Sequence, residues 1–243
     1  MNGTNFREIE FDLVDLFCNK ELAAVDIGTT GSGPYTELML QNSRIVFSFE
    51  PHPRSAERMR EKYGEQIVLR EVAVSDYVGT ATLNVPLRDD GQTERHGWSS
   101  IEKNFPENQN GIVQYEVETT TLDEENLPNI SFLKIDVEGA EVEVLKGAIN
   151  TIKKSRPVVL LEMDELHRPG TLKTNTLFFE KLDYEGYYVE HKTLHSIQEF
   201  IENARTNTGD INDENIFNFI FIPKEKTAVL ESIETRLEEL KQS

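Results

Sequence analysis

An aspartate runs straight into a glycine-rich stretch at Asp26-Ile27-Gly28-Thr29-Thr30-Gly31-Ser32-Gly33, between an apolar run and a helical one. Glycines at a strand exit let backbone approach a ligand closely, and the following helix start offers free N–H groups. In an open parallel sheet, ligands sit beyond the carboxyl ends of the strands. A carboxylate beside such a turn suits a cationic amino-acid group. Glu50 closes the next apolar stretch, where a carboxylate can accept both hydroxyls of a ribose. A second set of acids, Asp136, Glu138 and Glu162, also falls at strand ends, with His167 just beyond. Each is a candidate general base for a hydroxyl that must lose its proton. Asp136 and Glu162 end neighbouring strands, so their carboxylates are expected to converge on one cleft. Glu138 opens a helix ahead of Glu141 and Glu143, where acids also simply oppose the helix dipole. His167 precedes Arg168-Pro169 in a loop that suits a solvated histidine equally well.

A zinc site is not expected, and a divalent metal at the acids is open but not favoured. His52, His96, His191 and His195 lack zinc-ligand spacing. Asp136, Glu138 and Glu162 are hard donors of the kind Mg²⁺ accepts, but nothing further in the sequence asks for an ion. Asp210-Ile211-Asn212-Asp213-Glu214 lacks the sixth-position glycine and distal glutamate of a calcium loop.

The elements that must position these groups alternate. Phe6, Ile9, Leu13, Leu16 and Phe17 recur at helical spacing and predict an N-terminal helix over 5–19. Apolar strands are predicted at 22–27, 45–50, 66–75, 130–137 and 157–163, with a charged helix over 54–63. Leu145, Ala148, Ile149 and Ile152 form the buried stripe of another helix. Short strands alternating with helices predict a parallel sheet covered on both faces. Near the end, 186–192 and 217–223 read as two strands without a crossover helix, expected to pair antiparallel across a polar stretch at 205–215. Residues 88–112 form a long polar excursion carrying Trp98, Ser100, Ile101 and Phe105. Loops of that length are often functional, and Trp98, Ser100 and Phe105 are expected on the substrate side of the cleft. Residues 1–223 read as one domain and 224–243 as an amphipathic helix. Leu230, Ile233, Leu237 and Leu240 form a seam there, suited to its own domain or to a second copy of the chain.

Composition excludes several classes. With 243 residues, 37% hydrophobic and 28% charged, the chain is globular rather than fibrous or disordered. A net charge of −19 repels a phosphate backbone, which argues against a nucleic-acid partner. Cys18 stands alone, so no internal disulfide forms. No apolar run is long enough to span a bilayer, and the first ~30 residues carry no secretory signal pattern. A cytoplasmic location is expected.

Two nucleoside ligands fit the first turn: a dinucleotide such as NAD, or S-adenosylmethionine. The dinucleotide fingerprint is G-x-G-x-x-G, whereas here the glycines run G-x-x-G-x-G behind Asp26. An NAD-dependent oxidoreductase and a non-catalytic interaction protein on the same fold are the alternatives to a methyltransferase.

Five blocks then carry a resemblance: VDIGTTGSGPYT (25–36), FSFEPHP (47–53), REVAVSDYVGTATL (70–83), ISFLKIDVEGAEVEVLKGA (130–148) and RPVVLLEMDELH (156–167). In content, order and spacing they resemble the FkbM-type S-adenosylmethionine-dependent methyltransferases. The resemblance implies a Rossmann-like class I methyltransferase fold: a seven-stranded, mostly parallel sheet with the last strand antiparallel and helices on both faces. It implies S-adenosyl-L-methionine as cofactor and O-methylation of a sugar, glycan or small natural product. Asp26, Gly28, Thr30 and Gly31 would then cradle the methionine part. Glu50, followed by Pro51, would hold the ribose. Ala73, Val74 and Ser75, with Asp76 beside them, would border the adenine, and Asp136 would face the reacting centre. The chain departs from the family in its first turn, where Thr29-Thr30 stands in place of the usual Ala-Asn and the turn is one residue longer.

Overall fold

The computed structural model describes residues 8–102, 110–165, 168–203 and 216–242. A 3₁₀ turn (Ile9–Asp12) and α1 (Val14–Phe17) lead into β1 (Ala23–Ile27), α2 (Pro34–Asn42), β2 (Ile45–Phe49), α3 (Pro53–Tyr63) and β3 (Val68–Arg70). Then come β4 (Ala73–Val74), β5 (Gly79–Pro86), β6 (Ile112–Thr120), β7 (Ile130–Ile135), α4 (Glu141–Gly147), α5 (Ile149–Ser155) and β8 (Val158–Glu162). The chain ends with α6 (Thr171–Glu180), β9 (Tyr184–Glu190), β10 (Thr193–Ser196), α7 (Ile197–Glu202), β11 (Asn218–Pro223) and α8 (Thr227–Gln242).

The main sheet has eight strands in the order β10-β9-β11-β8-β7-β1-β2-β3. β8, β7, β1, β2 and β3 pair in parallel, and β11 inserts antiparallel between β8 and β9. This is the expected architecture with one strand added. His191 and Lys192 both adopt positive φ, so the chain turns tightly and β10 pairs back onto β9. No glycine or asparagine marks that turn, which is why the alternation did not reveal it.

Each face of the sheet has its own core. Ala24, Val46, Phe132 and Leu160 pack with Leu13 and Phe17, Met39 of α2, Met59 of α3, and Ile233 and Leu237 of α8. Val25, Ile27, Leu133 and Val159 pack on the other side with Val144, Ile152, Phe179 and Phe200. The C-terminal seam is thus used within this chain at Ile233 and Leu237. Among the described residues, no helix is long and apolar enough to cross a membrane.

Three expectations change. The strand predicted at 66–75 is two strands in two sheets. β3 joins β2, and the chain then crosses so that β4 pairs with β6 in a second sheet of order β4-β6-β5. The helix predicted over 5–19 is broken at Leu13, which is fully buried with φ −113; residues 1–7 lie outside those described. The helix containing Leu145 and Ile152 divides after Gly147. A Cβ at Gly147 would stand 2.0 Å from the Ser75 carbonyl oxygen, so only glycine permits that approach. The polar stretch at 205–215 lies outside the described residues.

Candidate active site

The turn after β1 holds its shape through backbone contacts. Gly28 donates its N–H to the Phe49 carbonyl at 3.0 Å, and Asp136 donates to the Ile27 carbonyl at 3.0 Å. Three strand ends are thereby locked together. Gly28 (φ +84) and Gly31 (φ +80) take left-handed conformations, and Thr30 does so without being glycine. A Cβ on Gly28 would fall 1.7 Å from the Asp136 carbonyl oxygen, and one on Gly31 would fall 3.0 Å from the Ser55 Cα.

Beyond these ends opens a cavity, with about 520 Å³ of empty space when the open solvent at its mouth is included. Gly28, Thr30, Glu50, Pro51, Ala73, Val74, Ser100, Asp136 and Glu138 line it, together with Ile27, Phe49, Val72, Leu83, Ile101 and Val137. Most of the expected cofactor residues therefore share one cavity. The 3₁₀ turn at His96–Trp98 closes over the β1 turn: His96 and Gly97 line the cavity, and a Cβ on Gly97 would stand 3.7 Å from Thr30 Cγ2.

Glu50 is buried at the rim. Its Oε1 accepts the His52 N–H at 2.8 Å and its Oε2 accepts the Thr29 hydroxyl at 3.4 Å. Burial pushes its carboxyl up to about 7, against the pull of the His52 and Thr30 N–H groups.

Other expected residues lie elsewhere. Asp26 belongs to β1 but points into the opposite layer, where its Oδ2 accepts the Thr36 hydroxyl at 2.6 Å. Burial raises it to about 6, with Thr36 and Lys134 opposing. Gly31 shapes the turn without lining the cavity, and Ser75 is fully buried and does not line it either. Trp98 is 41% exposed, with the Arg95 guanidinium 4.6 Å from its ring centroid, outside the cavity. Phe105 and His167 lie outside the described residues.

The acids do converge. One carboxylate oxygen from each of Asp136, Glu138 and Glu162 lies within 4.8 Å of the others. Glu138 sits in a left-handed conformation (φ 55), and Glu141 braces the same turn by accepting the Gly139 N–H at 2.7 Å. Between the acids stands Lys134, which sequence reasoning missed. Its Nζ lies 3.0 Å from Asp136 Oδ2, 3.8 Å from Glu162 Oε2 and 5.0 Å from the Tyr35 ring centroid. Lys134 is only 2% exposed. Burial disfavours its charge, but Asp136, Glu162 and Asp26 outweigh this and hold it above the ordinary lysine range. Glu162 is pushed well above the usual carboxylate range, first by burial and then by Asp136, with Lys134 opposing. The signal was present: a lysine inside an otherwise apolar strand needs counter-ions.

Comparison with known proteins agrees with this geometry. Residues 27–187 match the family described as the Methyltransferase FkbM domain. The 2-O-methyltransferase NoeI of Sinorhizobium fredii (strain NBRC 101917 / NGR234) is 31% identical over 169 residues, 63% of this chain and 68% of that protein. The crystal structure of Methyltransferase FkbM from Methylobacillus flagellatus KT superposes with a TM-score of 0.53 at 13% identity, covering 84% of this chain. This chain spans 44% of that one's length. An rRNA methylase from Streptococcus thermophilus superposes with a TM-score of 0.50 at 10% identity, over 91% of this chain and 99% of that one. At such identities the two structures show a shared fold.

Proposed function

Because this chain belongs to the FkbM methyltransferase family, we propose that it moves a methyl group from S-adenosylmethionine to a hydroxyl of a sugar, glycan or small natural product. The observation that carries this reading is the strand-end cavity where Gly28, Glu50 and Asp136 meet. The residues fit the cofactor. Gly28 lines the cavity, and the absence of a Cβ there lets the Asp136 carbonyl close against it, so the two strand ends form the cavity floor together. Glu50 offers a buried carboxylate to a ribose diol, and Val72, Val74, Leu83 and Ile101 supply apolar walls for a purine. Bound there, S-adenosylmethionine would supply a methyl group on a positively charged sulfur.

The chain's own residues then have three tasks. The cavity walls hold the acceptor oxygen in line with the methyl carbon, an alignment worth several kcal/mol. Asp136 and Glu138 line the cavity, and Asp136 takes the hydroxyl proton as the oxygen forms its new bond. Lys134 keeps Asp136 oriented through its 3.0 Å contact, while Glu162 stands behind, its carboxyl held well above the usual carboxylate range by burial and by Asp136. Oxygen as the acceptor atom draws support from the relative named a 2-O-methyltransferase.

The test is equilibrium binding and turnover. Calorimetry should show the wild-type chain binding S-adenosylhomocysteine, the demethylated product, and not NAD. Glu50→Ala should weaken that binding by roughly 1.5–3 kcal/mol through loss of charge-assisted hydrogen bonds. Binding of NAD in place of S-adenosylhomocysteine would overturn the reading. Methyl transfer to hydroxylated acceptors then separates an enzyme from a binding protein on the same fold.

A further inference from the structure

Beside the cavity, the start of α3 meets the excursion between β5 and β6 at a cluster that the proposed methyl transfer does not use. His52 Nε2 lies 3.0 Å from Glu94 Oε2, and His96 Nε2 lies 3.4 Å from the same oxygen. The donor atoms of all three residues lie within 4.8 Å of one another. His52 and Glu94 are buried, and the two imidazole rings lie with centroids 4.2 Å apart at an interplanar angle of 31°. A tetrahedral ion with bonds of ~2.0–2.1 Å sets its nitrogen and oxygen ligands about 3.3 Å apart, and the two short edges here match that spacing.

In Glu94 and His96 the atom that would not ligate is braced, as metal ligands commonly are by outer partners. Tyr115 donates its hydroxyl to Glu94 Oε1 at 2.9 Å, and the Arg54 guanidinium stands 3.5 Å from that oxygen. This leaves Oε2 to an ion. His96 Nδ1 lies 3.1 Å from Ser55 Oγ, to which it can donate once Nε2 is occupied. His52 Nδ1 accepts the Ser55 N–H at 3.3 Å and so caps α3. Ligation through Nε2 places the proton on Nδ1 and gives up that long contact.

We propose that His52 Nε2, Glu94 Oε2 and His96 Nε2 form a binding site for one divalent transition-metal ion of the zinc class. Two imidazoles and one carboxylate suit such an ion better than Mg²⁺ or Ca²⁺, which prefer oxygen alone. The acid cluster does not compete well, because the Lys134 ammonium already stands among its carboxylates. Spacing along the chain concealed the site, since Glu94 lies 42 residues after His52. The ion would clip a wall of the cavity to α3, because His96, Gly97, Ser99 and Ser100 all line that cavity.

The test strips the whole chain with a chelator, dialyses it and titrates it with Zn²⁺ by calorimetry. Co²⁺ in place of Zn²⁺ reports coordination through its visible absorption. One equivalent of Zn²⁺ should bind and raise the melting temperature. Co²⁺ should give the intense visible bands of a four- or five-coordinate site. His96→Ala, which spares the α3 cap, and Glu94→Gln should each weaken binding by more than about 30-fold, while Asp136→Asn leaves it within about threefold. The proposal is overturned by the absence of saturable binding up to about 0.1 mM Zn²⁺, by binding that survives both substitutions, or by binding lost in Asp136→Asn. S-adenosylhomocysteine binding, measured on the same samples, reports separately on the methyl-donor reading. Its absence throughout would count against that reading and leave the ion site standing.

Discussion

Gly28 and Asp136 touch through backbone: a Cβ built on Gly28 would lie 1.7 Å from the Asp136 carbonyl oxygen. Two strand ends thus approach as closely as main chains can, and the cavity opens where they meet. Gly28 also needs a positive φ, +84. Gly28→Ala therefore meets a clash and a strained backbone together, for a cost of roughly 2–4 kcal/mol. Urea denaturation should show that loss, and the folded fraction should bind S-adenosylhomocysteine at least about tenfold more weakly.

With Glu50 in the proposed ribose-holding role, cofactor binding should depend on pH. Burial holds its carboxyl at about 7 in the ligand-free protein, and a ribose diol is best accepted by the ionised form. Affinity should therefore rise with pH through about 7 and level off above it. Below that point it should fall by up to about tenfold per pH unit. Glu50→Gln should bind weakly and show no such slope. Calorimetry at pH 6, 7 and 8 measures both.

Lys134 is the counter-ion of the acid cluster. Lys134→Met removes the charge and leaves Asp136 and Glu162 facing each other. The cost near neutral pH should be about 3–5 kcal/mol. It should shrink as pH falls, because protonating Glu162, whose carboxyl is already held well above the usual range, relieves the repulsion. Denaturant melts of wild type and variant at pH 5 and pH 8 give the two differences. An equal loss at both pH values would mean that Lys134 serves packing alone.

Global stability should fall as pH rises toward neutrality. Asp26 at about 6, and Glu10 and Glu141 at about 7, all lie above their unfolded values, and burial is the leading cause in each. The native state then holds protons that the unfolded chain has released. The stabilisation is complete below the unfolded values near 4 and is lost as pH rises through about 6 to 7. Thermal midpoints should be higher at pH 5 than at pH 8, and Glu141→Gln should flatten part of that slope.

Trp98 lies outside the cavity, against Arg95. Trp98→Ala should leave S-adenosylhomocysteine affinity unchanged within about twofold and stability within about 0.5 kcal/mol. If the excursion reaches over the acceptor, the same variant should raise the acceptor's KM. Loss of cofactor affinity would place the indole on the adenine side.

The primary structure by itself determined whatever depends on neighbours along the chain. The glycine turn after β1, the terminal acids Glu50 and Asp136, and the alternation of strands with helices all follow from local conformational preference and hydrophobic period. Tertiary structure decided what depends on pairing between distant segments. Whether 66–75 is one strand or two was settled by β2 and β6, which draw its halves into different sheets. Asp26 faces away from the cavity because successive residues of a strand point to opposite sides, and the packing of α2 chose which side was filled. Lys134 acquired its role only when β8 brought Glu162 alongside. The histidine cluster exists only because the excursion from the second sheet returns Glu94 and His96 to the start of α3. Contacts across such separations close large loops, and one-dimensional spacing carries no record of which loops close.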